Sequence, residues 1–285
     1  MAASLALKVD IDTYHGFTEG LPNIVRTLGR RGIKASFFVS FGPDRSGLAF
    51  LQLLRPRFLW KMLRTNAPGT YGLKTALYGT LIRPPLIGLQ FPDAVRQLME
   101  LGHEVACHAW DHRLWQDWLP WLSASTIHEW FERMVDAFEL TTGQRPWSFG
   151  APGWRMDTRA LDEVLRWDFR YLSCTRAPRP FIWAENGLLE IPSNLPCIEE
   201  VGLDGVLNAL KNQAGSPVPQ VLPVHTEIEG QTRGRDFERM LDTIDTLGYQ
   251  VVTMADMARR LNPSTLETRG LRQGFLPGRA FECAV

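Results

Sequence analysis

The chain is sparing with cysteine. Its four, at positions 107, 174, 197 and 283 of 285, form no Cys-x-x-Cys pair and no dense framework. That excludes a disulfide scaffold and predicts free thiols in a reducing compartment. No window of about 18 uninterrupted apolar residues occurs, so no membrane-spanning helix is expected. Net charge is absent too: 31 Lys and Arg balance 31 Asp and Glu, which argues against a nucleic-acid binder driven by bulk charge. The amino terminus, Met-Ala-Ala-Ser-Leu-Ala-Leu, has no basic leader and reaches Lys8 and Asp10 too soon for a signal peptide. No internal repeat is found. A hydrophobic content of 45% is that of a globular protein with a real core.

One absence is local. From Arg45 to Pro92 there is no acidic residue, while Arg45, Arg55, Arg57, Lys61, Arg64, Lys74 and Arg83 are basic and Leu, Phe and Trp abound. Two readings compete. The apolar positions pack on the fold beneath a solvated basic face, or the segment lies on an anionic lipid surface. Packing alone does not explain the missing acids, which favours the membrane surface.

Around this basic amphipathic insertion at about 45–92, strand and helix signals alternate. A first apolar run closes at Lys8-Val-Asp-Ile-Asp-Thr, an amphipathic helix follows over 16–31, and a second strand over 34–40. Further helices are expected over 92–101, over 125–140 with Ser123 or Ser125 as cap, and over 157–166, 203–211 and 236–247. Strands are expected over 102–107, within 143–155 ahead of a Gly/Pro-rich loop, and over 169–173, 188–191, 220–225 and 250–254. The alternation places every candidate site residue at a strand's carboxyl end. That predicts an α/β chain folded as one (β/α) barrel over 1–260, with 261–285 a loosely held tail.

Asp10 and Asp12, two apart at a strand end, share a face and repel one another unless a cation, a shared proton or a basic partner intervenes. His108 and His112, in Cys-His-Ala-Trp-Asp-His, supply a match. Spacing of four puts both imidazoles on one face of a helical turn, which suits a divalent metal. His225 arrives at another strand end. One carboxylate and two imidazoles leave room at a metal for water and substrate, and leave one aspartate spare. A second carboxylate can take a proton from that water and His225 can protonate a leaving amine, which fits amide hydrolysis. His15, His103 and His128 read better as loop, turn and helix-face residues. Asp111 reads equally as an orienter of the histidines and as a solvated loop acid.

Asp10-Ile-Asp12, Gly102-His-Glu-Val with His108 and His112, Arg145-Pro-x-x-Phe149 with Pro152, and Leu222-x-x-His225 resemble the successive motifs of the NodB-type polysaccharide deacetylase family. The match covers most of 5–260 in order and spacing. The resemblance implies a distorted (β/α) barrel in which Asp10 is the general base, Asp12, His108 and His112 hold a divalent metal ion, and His225 is the general acid. Such ligands do not choose among Zn, Co, Mn, Fe and Ni.

Phe41-Gly-Pro-Asp, Pro56-Arg-Phe-Leu-Trp-Lys-Met-Leu-Arg-Thr-Asn-Ala, Gly153-Trp-Arg and His225-Thr-Glu-Ile-Glu-Gly are similar to one branch of that family. Its members remove the formyl group from 4-deoxy-4-formamido-L-arabinose linked to undecaprenyl phosphate at the cytoplasmic face of the inner membrane, a step toward lipid A modification and cationic-peptide resistance. The likeness implies a lipid-linked sugar substrate and peripheral attachment to that membrane through 45–92. The alternative is N-deacetylation of chitin- or peptidoglycan-type oligosaccharides. A non-catalytic sugar- or lipid-binding barrel would need a lost metal ligand, and all three are present.

The chain departs from the family in three places. Where the family has an arginine in the Pro-rich loop, this chain has Gly150, so Arg155 is expected to pair with Asp10. Where it has an aromatic, this chain has Gly153, whose N–H is left to help hold an oxyanion. The acid that orients the histidine is missing from Tyr171-Leu-Ser-Cys-Thr-Arg. The ligand assignment is open to elemental analysis: His108→Ala is expected to lower the metal content of the purified protein, and unchanged content would count against it.

Overall fold

The computed structural model describes residues 3–48, 77–276 and 281–285. Most of the acid-free run at 45–92 therefore lies outside the described residues. Strand β1 (Ser4–Ile11) is the hub. It pairs in parallel with β2 (Ser36–Ser40), with β8 (Gln220–His225) and, at its amino end, with β9 (Gln250–Val252). Beyond β2 the sheet continues through β3 (Glu104–Ala109), β4 (Ser148–Phe149), β5 (Tyr171–Leu172) and β7 (Leu189–Glu190), all parallel. It ends on β6 (Phe181–Trp183), antiparallel to β7, and β10 (Thr268–Arg269). The ten strands follow the order β10-β6-β7-β5-β4-β3-β2-β1-β8, with β9 beside β1. No pairing between β8 and β10 closes the ring among the described residues. The expected α/β barrel is thus present in a distorted, open form.

Alternation along β1 explains how a buried strand carries charge. Leu5, Leu7, Val9 and Ile11 join the large cluster formed with the helices. Ala6 faces the other way, into a smaller cluster with Phe38, Ala106, Tyr171, Val221 and Val252. Lys8, Asp10 and Asp12 continue the face of Ala6, because side chains two apart share a side. The barrel interior therefore gathers charge at the carboxyl ends of the strands, while at the amino end of β3 Glu104 accepts from the hydroxyls of Ser36 and Tyr171.

The outer helices include α1 (Leu21–Arg30), α2 (Pro92–Glu100), α3 (His112–Trp118), α4 (Ala124–Thr142), α5 (Thr158–Val164), α6 (Ile198–Gln213), α7 (Gly234–Thr246) and α8 (Met254–Arg260). Helix α4 shows why these residues form a helix. Ser123 Oγ accepts from the Thr126 N–H at 3.0 Å, so Ser123 is the cap. Ile127, Phe131, Met134, Val135 and Phe138 make one buried stripe, and Gly143 ends the helix at φ 72°. Helix α6 begins earlier than the expected 203–211 and is kinked at Gly202, φ 71°.

The expectation of a loosely held tail is not met. Strand β10 adds to the sheet, and β11 (Gln273–Phe275) pairs with β12 (Glu282–Ala284). Cys283 and Ala284 are buried, and the Arg176 N–H donates to the Ala284 carbonyl at 2.9 Å. Short apolar pairing, not a long periodic run, anchors this end, so no strong periodicity announced it.

Phe131 sits at the centre of the outer core, with ring centroids 4.9 Å from Phe149 and 5.9 Å from Trp115. Phe131→Ala is expected to cost about 3–5 kcal/mol. A urea unfolding midpoint unchanged from the parent would refute that placement.

Candidate metal centre

The carboxyl ends of β1, β3 and β8 converge. Parallel register sets Asp10 opposite His225, and the Thr226 N–H continues the ladder by donating to the Asp10 carbonyl at 3.1 Å. Strand β3 carries His108. Helix α3 opens with His112, and Asp111 caps it by accepting from the Leu114 N–H at 3.0 Å. The two imidazoles thus straddle a strand-to-helix turn, which corrects the expected single helical turn. Their ring centroids still lie 5.1 Å apart.

Asp12 is the point of convergence. Its Oδ1 lies 3.3 Å from His108 Nε2 and its Oδ2 lies 3.3 Å from His112 Nε2. One donor atom from each of the three residues falls within 4.8 Å of the others. The residues fit a divalent cation on three counts. Asp12 Oδ1 is buried with no hydrogen-bond partner, which is costly unless something else satisfies it. His108 Nδ1 donates to the Gly150 carbonyl at 2.7 Å, leaving Nε2 with a free lone pair toward Asp12. Burial, only partly offset by the Asp12 charge, lowers the His112 pKa to about 4, so its ring is neutral and able to ligate near pH 7. The imidazoles also outweigh the burial of Asp12 and hold its carboxyl well below the ordinary range.

Asp10 lies beside this group without joining it, with Oδ2 4.0 Å from His108 Nε2. Lys8, not Arg155, pairs with it: Nζ is 2.5 Å from both carboxylate oxygens. The Arg155 guanidinium instead lies 4.9 Å over the Phe281 ring, and its carbonyl accepts from Trp115 Nε1 at 2.9 Å. In the loop just before it, Gly153 and Trp154 both take positive φ, 60° and 54°.

His225 Nδ1 sits 3.0 Å from Glu199 Oε1, at the start of α6. Burial lowers the pKa of His225, but the charge and hydrogen bond of Glu199 outweigh it and raise the value to about 10. Glu199 therefore supplies the orienting acid that the sequence around Cys174 lacks. The His225 N–H donates to Glu229 Oε2 at 2.9 Å. Glu227 clamps the other side: its Oε1 accepts from the N–H groups of Asp12 and Thr13, at 3.0 and 2.8 Å, and from the Thr13 hydroxyl at 2.8 Å. Gly16 allows this approach, since a Cβ there would lie 2.0 Å from Glu227 Oε1. Burial first, then the charge of Asp12, raises the Glu227 pKa to about 8.

The remaining candidates have structural places. Asp111 is buried and its Oδ2 is 2.7 Å from Arg45 Nε, so it is no solvated acid. His103 Nδ1 accepts from the Ala35 N–H at 3.1 Å, and His128 Nδ1 lies 2.9 Å from Glu163. Sequence reasoning missed Lys8, Glu199, Glu227 and Glu229. Lys8 shares the face of Asp10 at the same spacing of two, and Glu227 and Glu229 stand two apart just after His225. Nothing local to Glu199 marks it.

Comparison with known proteins makes the chain a hydrolase of linear amide bonds. The polysaccharide deacetylase family profile matches residues 3–172, and the chain belongs to that family. It is 32% identical over 262 residues to a Shewanella sediminis protein assigned as 4-deoxy-4-formamido-L-arabinose-phosphoundecaprenol deformylase ArnD, covering 89% of this chain and 85% of that one. A Wigglesworthia glossinidia brevipalpis protein of the same assignment is 29% identical over 252 residues, covering 84% and 87%. Among solved structures, one assigned as a polysaccharide deacetylase of Mycobacterium smegmatis superposes with a TM-score of 0.65 at 16% identity, covering 96% of this chain and 94% of that one. Another, from Pseudomonas aeruginosa PAO1, gives 0.60 at 16% identity, covering 90% of each. These two share the fold.

Removing Glu199 should be visible without any assay of turnover. In Glu199→Gln the imidazole of His225, followed by NMR titration, is expected to lose its proton at least one pH unit lower than in the parent. An unmoved titration would remove Glu199 from its assigned role.

Proposed function

We propose that this chain is a metal-dependent deformylase of 4-deoxy-4-formamido-L-arabinose carried on undecaprenyl phosphate. The observation that carries the reading is the convergence of Asp12, His108 and His112 on one point, with Asp10 beside it and His225 opposite Asp10 on the adjacent strand. Likeness to the ArnD proteins along most of the chain supports the choice of substrate.

Asp12, His108 and His112 would hold the cation, with Zn, Co, Mn, Fe and Ni all compatible with such ligands. A bound divalent ion polarises an amide carbonyl and lowers the pKa of water. Asp10 takes the proton of the attacking water on a carboxylate oxygen. His225 is protonated near pH 7 with Nδ1 engaged by Glu199, so its Nε2–H is the proton that goes to the leaving amine nitrogen. Carbon–nitrogen cleavage then yields formate and a free amino sugar. Glu227 and Glu229, held on backbone N–H groups, fix the positions of Asp12 and His225.

A polyprenyl substrate calls for an enzyme that works at a bilayer. The acid-free run of 45–92 supports peripheral attachment to the cytoplasmic face of the inner membrane by lipid contact and charge. No helix among the described residues is long and apolar enough to cross a membrane. In this reading the product enters lipid A modification and polymyxin resistance.

Metal-replete protein is expected to release formate from the lipid-linked sugar in anionic vesicles, faster than in neutral ones, and to release no acetate from chitin or peptidoglycan oligosaccharides. Intact metal binding with no formate would sink the reading. Acetate from the soluble oligosaccharides would replace it with an N-deacetylase.

A further inference from the structure

Lys8 is fully buried, and its route to Asp10 is built. The ammonium lies 4.5 Å from the centroid of the Phe38 ring. Gly150 stands against both, since a Cβ there would lie 2.6 Å from Phe38 Cδ1 and 3.2 Å from Lys8 Cε. Any side chain at 150 would crowd the ring and the lysine stem together. The same Gly150 carbonyl orients His108. One glycine therefore serves both the imidazole and the lysine.

The ammonium separates two carboxylates that the strand otherwise presents alike. Both oxygens of Asp10 are within 2.5 Å of Nζ, while both oxygens of Asp12 face imidazole nitrogens at 3.3 Å. Asp10 Oδ2 is only 4.0 Å from His108 Nε2. With the ammonium gone, an ion held by Asp12 and His108 would be the nearest positive charge open to that carboxylate, as a fourth protein ligand. A site with four protein ligands is of the closed, structural kind.

Resting on the metal site proposed above, we propose that Lys8 is a positioning residue that holds Asp10 off the metal, so that the ion keeps open positions and Asp10 stays available for proton transfer. The role is one of competition: the same carboxylate cannot satisfy the buried ammonium and the ion at once.

The test uses the full chain, stripped and reloaded with Co2+, with affinity read by chelator competition and coordination read by visible absorption. Lys8→Met is expected to hold cobalt about 10-fold more tightly through the added ligand, with an absorption change toward more protein ligands. Its kcat for formate release should fall about 100-fold with KM within about threefold of the parent. Lys8→Arg should restore both properties. In Lys8→Met/Asp10→Asn the cobalt affinity should return to the parent value, and Asp10→Asn alone should leave it unchanged. The single Asp10 variant keeps the lysine and serves even if Lys8→Met does not fold. Unchanged or weaker cobalt binding in Lys8→Met overturns the proposal, as does weaker binding in Asp10→Asn. A parent protein that takes up no cobalt overturns the metal reading itself, whereas cobalt uptake with an indifferent Lys8→Met overturns the role of Lys8 alone.

Discussion

Two carboxylates from a single buried strand, facing the same way, are the constraint on which the centre depends. Asp10 and Asp12 cannot both sit in a low-dielectric interior without opposite charge nearby. The structure answers each separately: an ammonium for Asp10, and two imidazoles plus room for an ion for Asp12. Every element around the mouth either delivers one of those partners or holds it in place. Strand β1, which carries both carboxylates, also makes three strand pairings.

Support for the centre comes from three acids beside it, two of them buried. Glu227 and Glu229 stand in one short segment after β8, and one accepts the backbone N–H groups beyond β1 while the other accepts the N–H of His225. Hydrogen bonds from fixed backbone donors offset part of the cost of burying a carboxyl group. The segment thus couples the two sides of the site through rigid contacts. Glu199 adds the third acid, from the first turn of α6. A parallel sheet suits this work, since its strands end together and their loops can converge from distant parts of the chain.

The family relation and the geometry agree on amide hydrolysis, and the departures are as informative as the agreements. The sequence predicts an arginine beside Asp10, and the structure places Lys8, from the strand itself, there instead. The charge opposite Asp10 thus comes from β1 and not from the loop. Arg155, freed from that task, packs on Phe281 and so ties the loop to the carboxy-terminal hairpin.

Much of the fold was legible from periodicity, because strands buried on both faces read as apolar runs and helices such as α4 read as stripes with a cap and a glycine stop. The candidate site was legible in part: Asp10, Asp12, His108, His112 and His225 stand at strand ends or just beyond them, and paired acids and histidines are conspicuous. Lys8 was overlooked because a strand lysine ordinarily points to solvent. By itself the sequence determined which chemical groups the strand ends carry, since alternation along a strand and chain order are local properties. Only the tertiary structure decided which cation meets Asp10, which acid meets His225 and that the chain's end packs as a hairpin. Those pairings join positions far apart in order, and no local pattern encodes a distance through space.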